Sequence, residues 1–373
     1  MAEVDADVVV VGGGPAGSTA AYYIHDKTVL IIDAKDFPRH KACGGGLLNS
    51  RDWPNVFDNF AEIENELHIH PLENINIYWG DKPIFSRPGP IGDHVRRLEF
   101  DNLLLKAALR KGNVTYRRFQ LHSITQHKDR VILSDRNENI VARYVVGCDG
   151  WNSKVARSLG NASLIPRQYG TCLEYDIACT PIKNVYVMLC WQGQLGYAWV
   201  FPTSDGCYAG VGFVGSLAKP AKKYLDEFVD FCVRQEVIPS SCAIRRTFGA
   251  PDPVFVARDF AKGNIVLAGD AMGLVKQISG EGIYFAMLSG KIAGQTTNSG
   301  GDVAGRYAEL MRPYVKEVTV RKNIPPKFLS VPALKVAFLL MQAGPWKQSL
   351  QKAFLNRFCR RYNLPLNSHY IPY

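Results

Sequence analysis

Cys43 precedes three glycines in "KACGGGL". A thiol in that setting suits proton transfer, half of a metal site, or no chemistry, with the glycines serving only a tight loop. Other residues whose type and spacing suit chemistry are Gly12-x-Gly14-x-x-Gly17 with Asp33, then "CDG" at 148–150, Gly269-Asp270, and Gly280-Glu281-Gly282. A glycine loop opening a helix presents free N–H groups and the positive dipole end to phosphates. A carboxylate closing a strand stands where open α/β sheets bind ligands. Tyr197, Trp199 and Phe201 recur at period two, which puts three aromatic rings on one face. A metal site lacks support: the nine cysteines include no C-x-x-C pair, and no metal is expected. The odd cysteine count also argues against a disulfide framework and for small buried residues in a reducing cytosol.

The elements that must position these residues are legible around them. Val8 to Val11 is an unbroken apolar run, read as a strand buried on both faces. The glycines follow, then an alanine-rich helix, then a strand "TVLIID" ending on Asp33. Strand, glycines, helix, strand and acid in this order predict dinucleotide binding, without choosing between FAD and NAD. "VVGCDGWNSKVAR" reads as a strand ending at Asp149, with a helix starting at Asn152 or Ser153. "NIVLAGD" is a third buried strand, and the stretch after Gly282 is a long helix of small and apolar residues. Asp149 and Asp270 also suit a plainer role as helix caps. From 161 to 254, aromatic or β-branched residues alternate with small ones between turn residues, the pattern of antiparallel strands. Pro202 is expected to end its strand or sit at its edge.

The chain of 373 residues is 47% apolar and 21% charged, ordinary globular usage. No 18-residue apolar stretch occurs and the N-terminus lacks signal-peptide features, so neither a transmembrane helix nor a leader is expected. The formal charge of +10 is localised. Residues 306–373 carry 12 Lys/Arg against 2 Asp/Glu, and the first 305 residues carry 32 of each sign. Residues 328–365 read as two short helices split at Gly344-Pro345. The second is basic and amphipathic, suited either to an anionic membrane surface or to packing on the sheet. No nucleic-acid recognition motif accompanies the charge, and no nucleic-acid partner is expected.

Taken in order, the GxGxxG unit, "KACGGGL", "RLEF" with Asp101, "CDG", "GYAWVFP" and "GDAMG…SGEGIYFAM" make the chain similar to FAD-dependent oxidoreductases sharing the aromatic-hydroxylase fold. Within that group it resembles the geranylgeranyl reductase family, over residues 8–294. The resemblance implies an α/β fold: a Rossmann-type FAD-binding domain (1–55, 96–160, 255–300) interleaved with an antiparallel-sheet substrate domain (56–95, 161–254). A basic C-terminal helical region (301–373) follows. It implies that Gly12, Gly14, Ala16 and Gly17 hold the FAD pyrophosphate and Asp33 the ribose. Arg97 would reach the phosphate region and Asp270 the ribityl or pyrophosphate portion. Gly44 and Gly45 would approach the flavin, and Gly280, Gly282 and Ile283 would contact its ring. Tyr197, Trp199 and Phe201 would line an apolar substrate tunnel.

The implied activity is reduction of C=C bonds in a prenyl or similar apolar substrate, in isoprenoid or lipid biosynthesis. Hydride would come from reduced flavin, and Cys43 or Tyr197 would supply the proton. NADPH or a ferredoxin-like protein would supply electrons, in a cytoplasmic setting with peripheral membrane contact through the basic tail. Two departures stand out. Gly273 and Gln277 replace the His and Pro usual in aromatic hydroxylases, and Lys276 takes the place of the reductases' Asn or Asp. An oxygen-using monooxygenase or halogenase-like activity is the alternative.

Overall fold

The computed structural model describes residues 4–48, 63, 65–161, 170–189, 191–193, 196–214, 221–252, 256–276 and 280–319. The chain starts with β1 (Ala6–Val11), α1 (Pro15–Tyr22), β2 (Val29–Asp33), β3 (Gly46–Leu48), β4 (His70–Trp79) and β5 (Lys82–His94). Next come α2 (Arg97–Leu109), β6 (Val114–Arg118), β7 (Ser123–Gln126), β8 (Val131–Ser134), β9 (Asn139–Gly147) and α3 (Lys154–Ser158). A second run of strands follows: β10 (Gly170–Ala178), β11 (Asn184–Leu189), β12 (Gly196–Thr203) and β13 (Gly206–Val214), then α4 (Ala221–Arg234) and β14 (Ala243–Asp252). The chain then returns through β15 (Ala261–Lys262), β16 (Ile265–Leu267), α5 (Ile283–Ser299) and α6 (Val303–Val318).

These elements make two sheets. The first has the order β15-β16-β9-β1-β2-β6, with β7 and β8 attached through β9. Its central pairs, β16·β9·β1·β2·β6, are all parallel. Val8, Val9, Val10, Ile31, Ile32, Val145 and Val146 are fully or almost fully buried there, which is why these strands read as unbroken apolar runs. Helices α1 and α5 cross closely on this sheet. A Cβ on Gly290 would lie 2.2 Å from the Ala16 carbonyl oxygen, so the small residues of α5 set its approach to α1.

The second sheet has the order β14-β10-β13-β12-β11-β4-β5-β3. One face packs on α4, whose Leu225, Phe228 and Cys232 are buried against Ile177, Val200, Val211 and Phe213. The sheet is antiparallel except at β11·β4, which pair in parallel. The expected antiparallel domain thus includes one parallel pair. β4 belongs to a segment remote in sequence from β11, so no hairpin forces their directions to alternate.

Two segments differ from the expected division. β3, within the stretch 1–55 expected in the nucleotide domain, pairs with β5 in the second sheet. Helix α6 buries Val303, Tyr307, Met311 and Val318 in the first core, and the Tyr307 hydroxyl donates to the Leu267 carbonyl at 2.7 Å. Residues 301–318 therefore belong to the first layer by their packing. The two helices expected over 328–365 lie outside the described residues. Among the described residues, no helix is long and apolar enough to cross a membrane.

Candidate active site

The turn from β1 into α1 is built on steric necessity. A Cβ on Gly17 would sit 1.8 Å from the Gly12 carbonyl oxygen, so no other residue lets the helix lie this close to the strand end. Pro15 opens α1, where its missing N–H breaks no helical bond. The Gly13 N–H donates to Asp33 Oδ2 at 2.9 Å, tying the end of β2 to the glycine loop. Gly12, Gly14, Ala16 and Asp33 all line one cavity of about 1230 Å³. That exceeds the usual range of about 300–1,000 Å³ for drug-sized pockets.

The arginine beside Gly14 is Arg39: a Cβ on Gly14 would lie 3.2 Å from its Nη2. Arg97, expected to reach the phosphates, lines the same cavity but is committed elsewhere. Its Nε and Nη2 bond Asp101 Oδ1 and Oδ2 at 2.7 and 2.8 Å, and its side chain lies near that of Cys43. Asp101 is fully buried, and its Oδ2 also meets Arg39 Nη1 at 3.4 Å. A buried acid needs such pairing, because an uncompensated charge there is costly.

The two strand-end acids diverge. Asp149 accepts from Ser153 Oγ at 2.5 Å and from the Lys154 N–H at 2.6 Å, and Ser153 caps α3 through the Ala156 N–H at 2.8 Å. Burial raises the Asp149 carboxyl despite these bonds. The plainer reading as a helix-start residue describes Asp149 well, although it also borders the cavity. Asp270 instead faces Lys41 Nζ at 3.2 Å. Burial pushes its carboxyl up, but Lys41, with Arg97 and Arg39, holds it below the ordinary range. Ser289 of α5 accepts the Gly269 N–H at 2.9 Å and fixes this turn.

At the far end of the cavity, Gly280, Gly282 and Ile283 open α5, a helix of 17 residues. Lys276 and Glu281 face each other there at 3.6 Å, so the substituted lysine meets a carboxylate; Gln277 lies outside the described residues. Cys43, Gly44, Gly45, Tyr197, Trp199 and Phe201 line the same space. The three aromatics do share a face, with Tyr197 and Trp199 ring centroids 5.4 Å apart. A Cβ on Gly46 would sit 2.8 Å from the Phe201 ring, so the glycine run lets the loop lie flat on that aromatic wall. Strand β12 continues past Pro202 to Thr203, while its ladder with β11 stops at Val200; the missing N–H therefore costs little.

Glu174, Arg39 and Lys41 are cavity residues that sequence reasoning missed. Glu174 is 3% exposed, borders the cavity and accepts the Cys43 N–H at 2.7 Å. The available signal was an acid at period two with Cys172, inside an inward-facing strand pattern. Arg39 and Lys41 had no such signal, since they stand in irregular chain. His94, 2% exposed, lies under the same loop, and burial pushes its imidazole down to about 3. Among the described residues, no cluster of His, Cys, Asp or Glu is arranged to hold a metal.

The residues present fit FAD. The cavity runs from an acid and a glycine loop with an arginine beside it, through the Lys41–Asp270 pair, to a helix start facing an apolar wall. Trp199 Nε1 is buried in that wall with no hydrogen-bond acceptor among the described residues.

The family described as "FAD binding domain" matches residues 93–289. A menaquinone reductase of Mycolicibacterium smegmatis is 28% identical, over 87% of this chain and 86% of its own. A digeranylgeranylglycerophospholipid reductase of Methanosphaera stadtmanae is also 28% identical, over 77% of this chain and 74% of its own. The solved structure of a geranylgeranyl bacteriochlorophyll reductase-like protein from Thermoplasma acidophilum superposes with a TM-score of 0.70 at 23% identity, covering 93% of this chain and 98% of that one. The myxobacterial chondrochloren halogenase shares the fold as well, with a TM-score of 0.67 at 21% identity over 97% of this chain and 91% of its own. The chain belongs to the geranylgeranyl reductase family of FAD-dependent oxidoreductases.

Proposed function

We propose that this protein reduces C=C bonds in the prenyl chain of an apolar substrate, such as a prenylated lipid or quinone. The observation that carries the reading is the aromatic face Tyr197-Trp199-Phe201, with Val187 and Leu189, in the same cavity as Cys43 and the start of α5. That wall offers large apolar area and few polar groups, which suits a hydrocarbon chain. The relatives named above act on substrates of this kind by their names.

Gly12, Gly14, Ala16, Gly17 and Asp33 hold the adenosine and phosphate portion of FAD, with Arg39 as the adjacent cation. Asp270 and Lys41 hold its middle, and Gly280, Gly282 and Ile283 its ring. Bound FAD supplies the two-electron reduction. The chain contributes position and a proton. Glu174 fixes the Cys43 backbone, and Arg97, braced by Asp101, stands at its thiol. Cys43 Sγ donates the proton to the second carbon, and the Arg97 guanidinium stabilises the thiolate left behind. Tyr197 is the other donor on the same wall. NADPH or a ferredoxin-like carrier reduces the enzyme; anaerobic bleaching of the bound flavin by one and not the other decides between them. The basic tail places the enzyme against lipid surfaces, which sedimentation with anionic vesicles tests.

Anaerobic turnover of a prenyl lipid should add two hydrogens per saturated bond, read by mass spectrometry. No mass gain across prenyl lipids and prenyl quinones, or product that forms only with oxygen, overturns the reading in favour of oxygen-dependent chemistry.

A further inference from the structure

Two cysteines outside the cavity form an asymmetric pair. Cys179 directly follows β10, and Cys207 stands near the start of β13. The register pairs Ile177 with Cys207, so Cys179, two residues on, projects to the same face as a diagonal neighbour. Both side chains pack into the same apolar cluster under α4, close enough for the two thiols to perturb each other. Cys207 is fully buried, in the core between the second sheet and α4, while Cys179 is only partly buried. Arg245 lies beside Cys179 and is itself fixed, with Nη2 to Asp176 Oδ1 at 2.6 Å and Nη1 to Asp205 Oδ2 at 2.7 Å.

The two thiols are thereby made unequal. The neighbouring Cys207, with Arg245 nearby, brings Cys179 down to about 7, against burial. The neighbouring Cys179, together with burial, drives Cys207 up. Cys179, the partly buried thiol, is thus the readier of the two to ionise, with the buried Cys207 thiol behind it. That is the arrangement of an attacking and a resolving cysteine.

We propose that Cys179 and Cys207 form a hydroperoxide-reactive dithiol. The Cys179 thiolate attacks the peroxide O–O bond. An S–O bond forms, the O–O bond breaks, and the departing oxygen takes a proton as alcohol or water. Sulfur is oxidised by two electrons and the peroxide is reduced by two. Cys207 then attacks the Cys179 sulfur: the S–S bond forms, the S–O bond breaks, and the hydroxide leaves as water with the Cys207 proton. The net change is two thiols and one hydroperoxide to one disulfide, one alcohol (or water) and one further water. Reduced flavins form hydrogen peroxide with oxygen, so an FAD oxidoreductase works where this oxidant arises. β10 ends at Ala178 and β13 begins at Gly206, so both cysteines stand at or next to a strand end.

The test treats the FAD-loaded full chain, fully reduced, with one equivalent of hydrogen peroxide, followed by alkylation and non-reducing peptide mass spectrometry. A single bridge joining the Cys179 and Cys207 peptides is expected, with a mass loss of about 2 Da. Cys207→Ser should trap a sulfenic acid at Cys179, captured by dimedone. Cys179→Ser should leave Cys207 reduced and slow peroxide consumption by at least about tenfold. FAD content of each variant reports its folding, and double-bond reduction should be unchanged in both, which keeps this test separate from the reductase reading. No bridge, a bridge from Cys179 to Cys232 or Cys242, or undiminished peroxide consumption by Cys179→Ser overturns the proposal.

Discussion

The two sheets contribute to one cavity in opposite ways. The first sheet acts through its backbone: glycine turns, free N–H groups and strand ends, with side chains mostly buried in its own core. The second acts through side chains: Glu174, Val187, Leu189, Tyr197, Trp199 and Phe201 project from its strands into the site. A backbone-built site tolerates little substitution at its glycines, because the objection is steric. A side-chain-built site can change its substrate by exchanging residues on an intact frame.

The sharpest way to break this contrast is at Gly17. Gly17→Val puts a side chain where even a Cβ lies 1.8 Å from the Gly12 carbonyl oxygen. FAD affinity should fall by at least about 100-fold, read by FAD content and calorimetry. Retained flavin would show that the glycine turn is not what holds it. Cys43→Ala probes where the loop meets the aromatic wall. FAD should stay bound while turnover falls about 100-fold, the lower end of general-acid effects. Wild-type turnover would move the proton to Tyr197.

A third probe uses pH. His94 is held neutral by burial, its folded value near 3 against an ordinary 6.5. The unfolded chain therefore binds more protons between those values. Stability from this site is complete above about 6.5 and is lost as pH falls toward 3, by up to several kcal/mol. His94→Asn should flatten that slope in denaturant melts from pH 7 to 4. A slope unchanged in the variant would place the acid sensitivity elsewhere. Ser153→Ala is the mildest change: loss of one N-cap should cost about 1 kcal/mol with FAD affinity intact. A large loss of FAD would mean that the Asp149 turn belongs to the cofactor site and not to α3 alone.

The sequence by itself determined the opening β1–α1–β2 unit of the first sheet. Val8–Val11, the three glycines and Asp33 form a local unit within about 30 residues, so spacing alone specifies strand, turn and helix. Period two likewise put Tyr197, Trp199 and Phe201 on one face. The tertiary structure alone decided which arginine serves which partner. Arg39 and Arg97 both stand near glycine-rich chain, but only the packing of α2 shows Arg97 closing on Asp101 near Cys43, with Arg39 reaching both Asp101 and the space beside Gly14. It also decided the parallel β11·β4 pairing, the docking of α6 on the first core, and the reach of Glu174 across 131 positions to the Cys43 backbone. The physical reason is range. Steric and periodic constraints act between near neighbours and are written locally, whereas ion pairs and strand partners are selected by which distant surfaces bury each other.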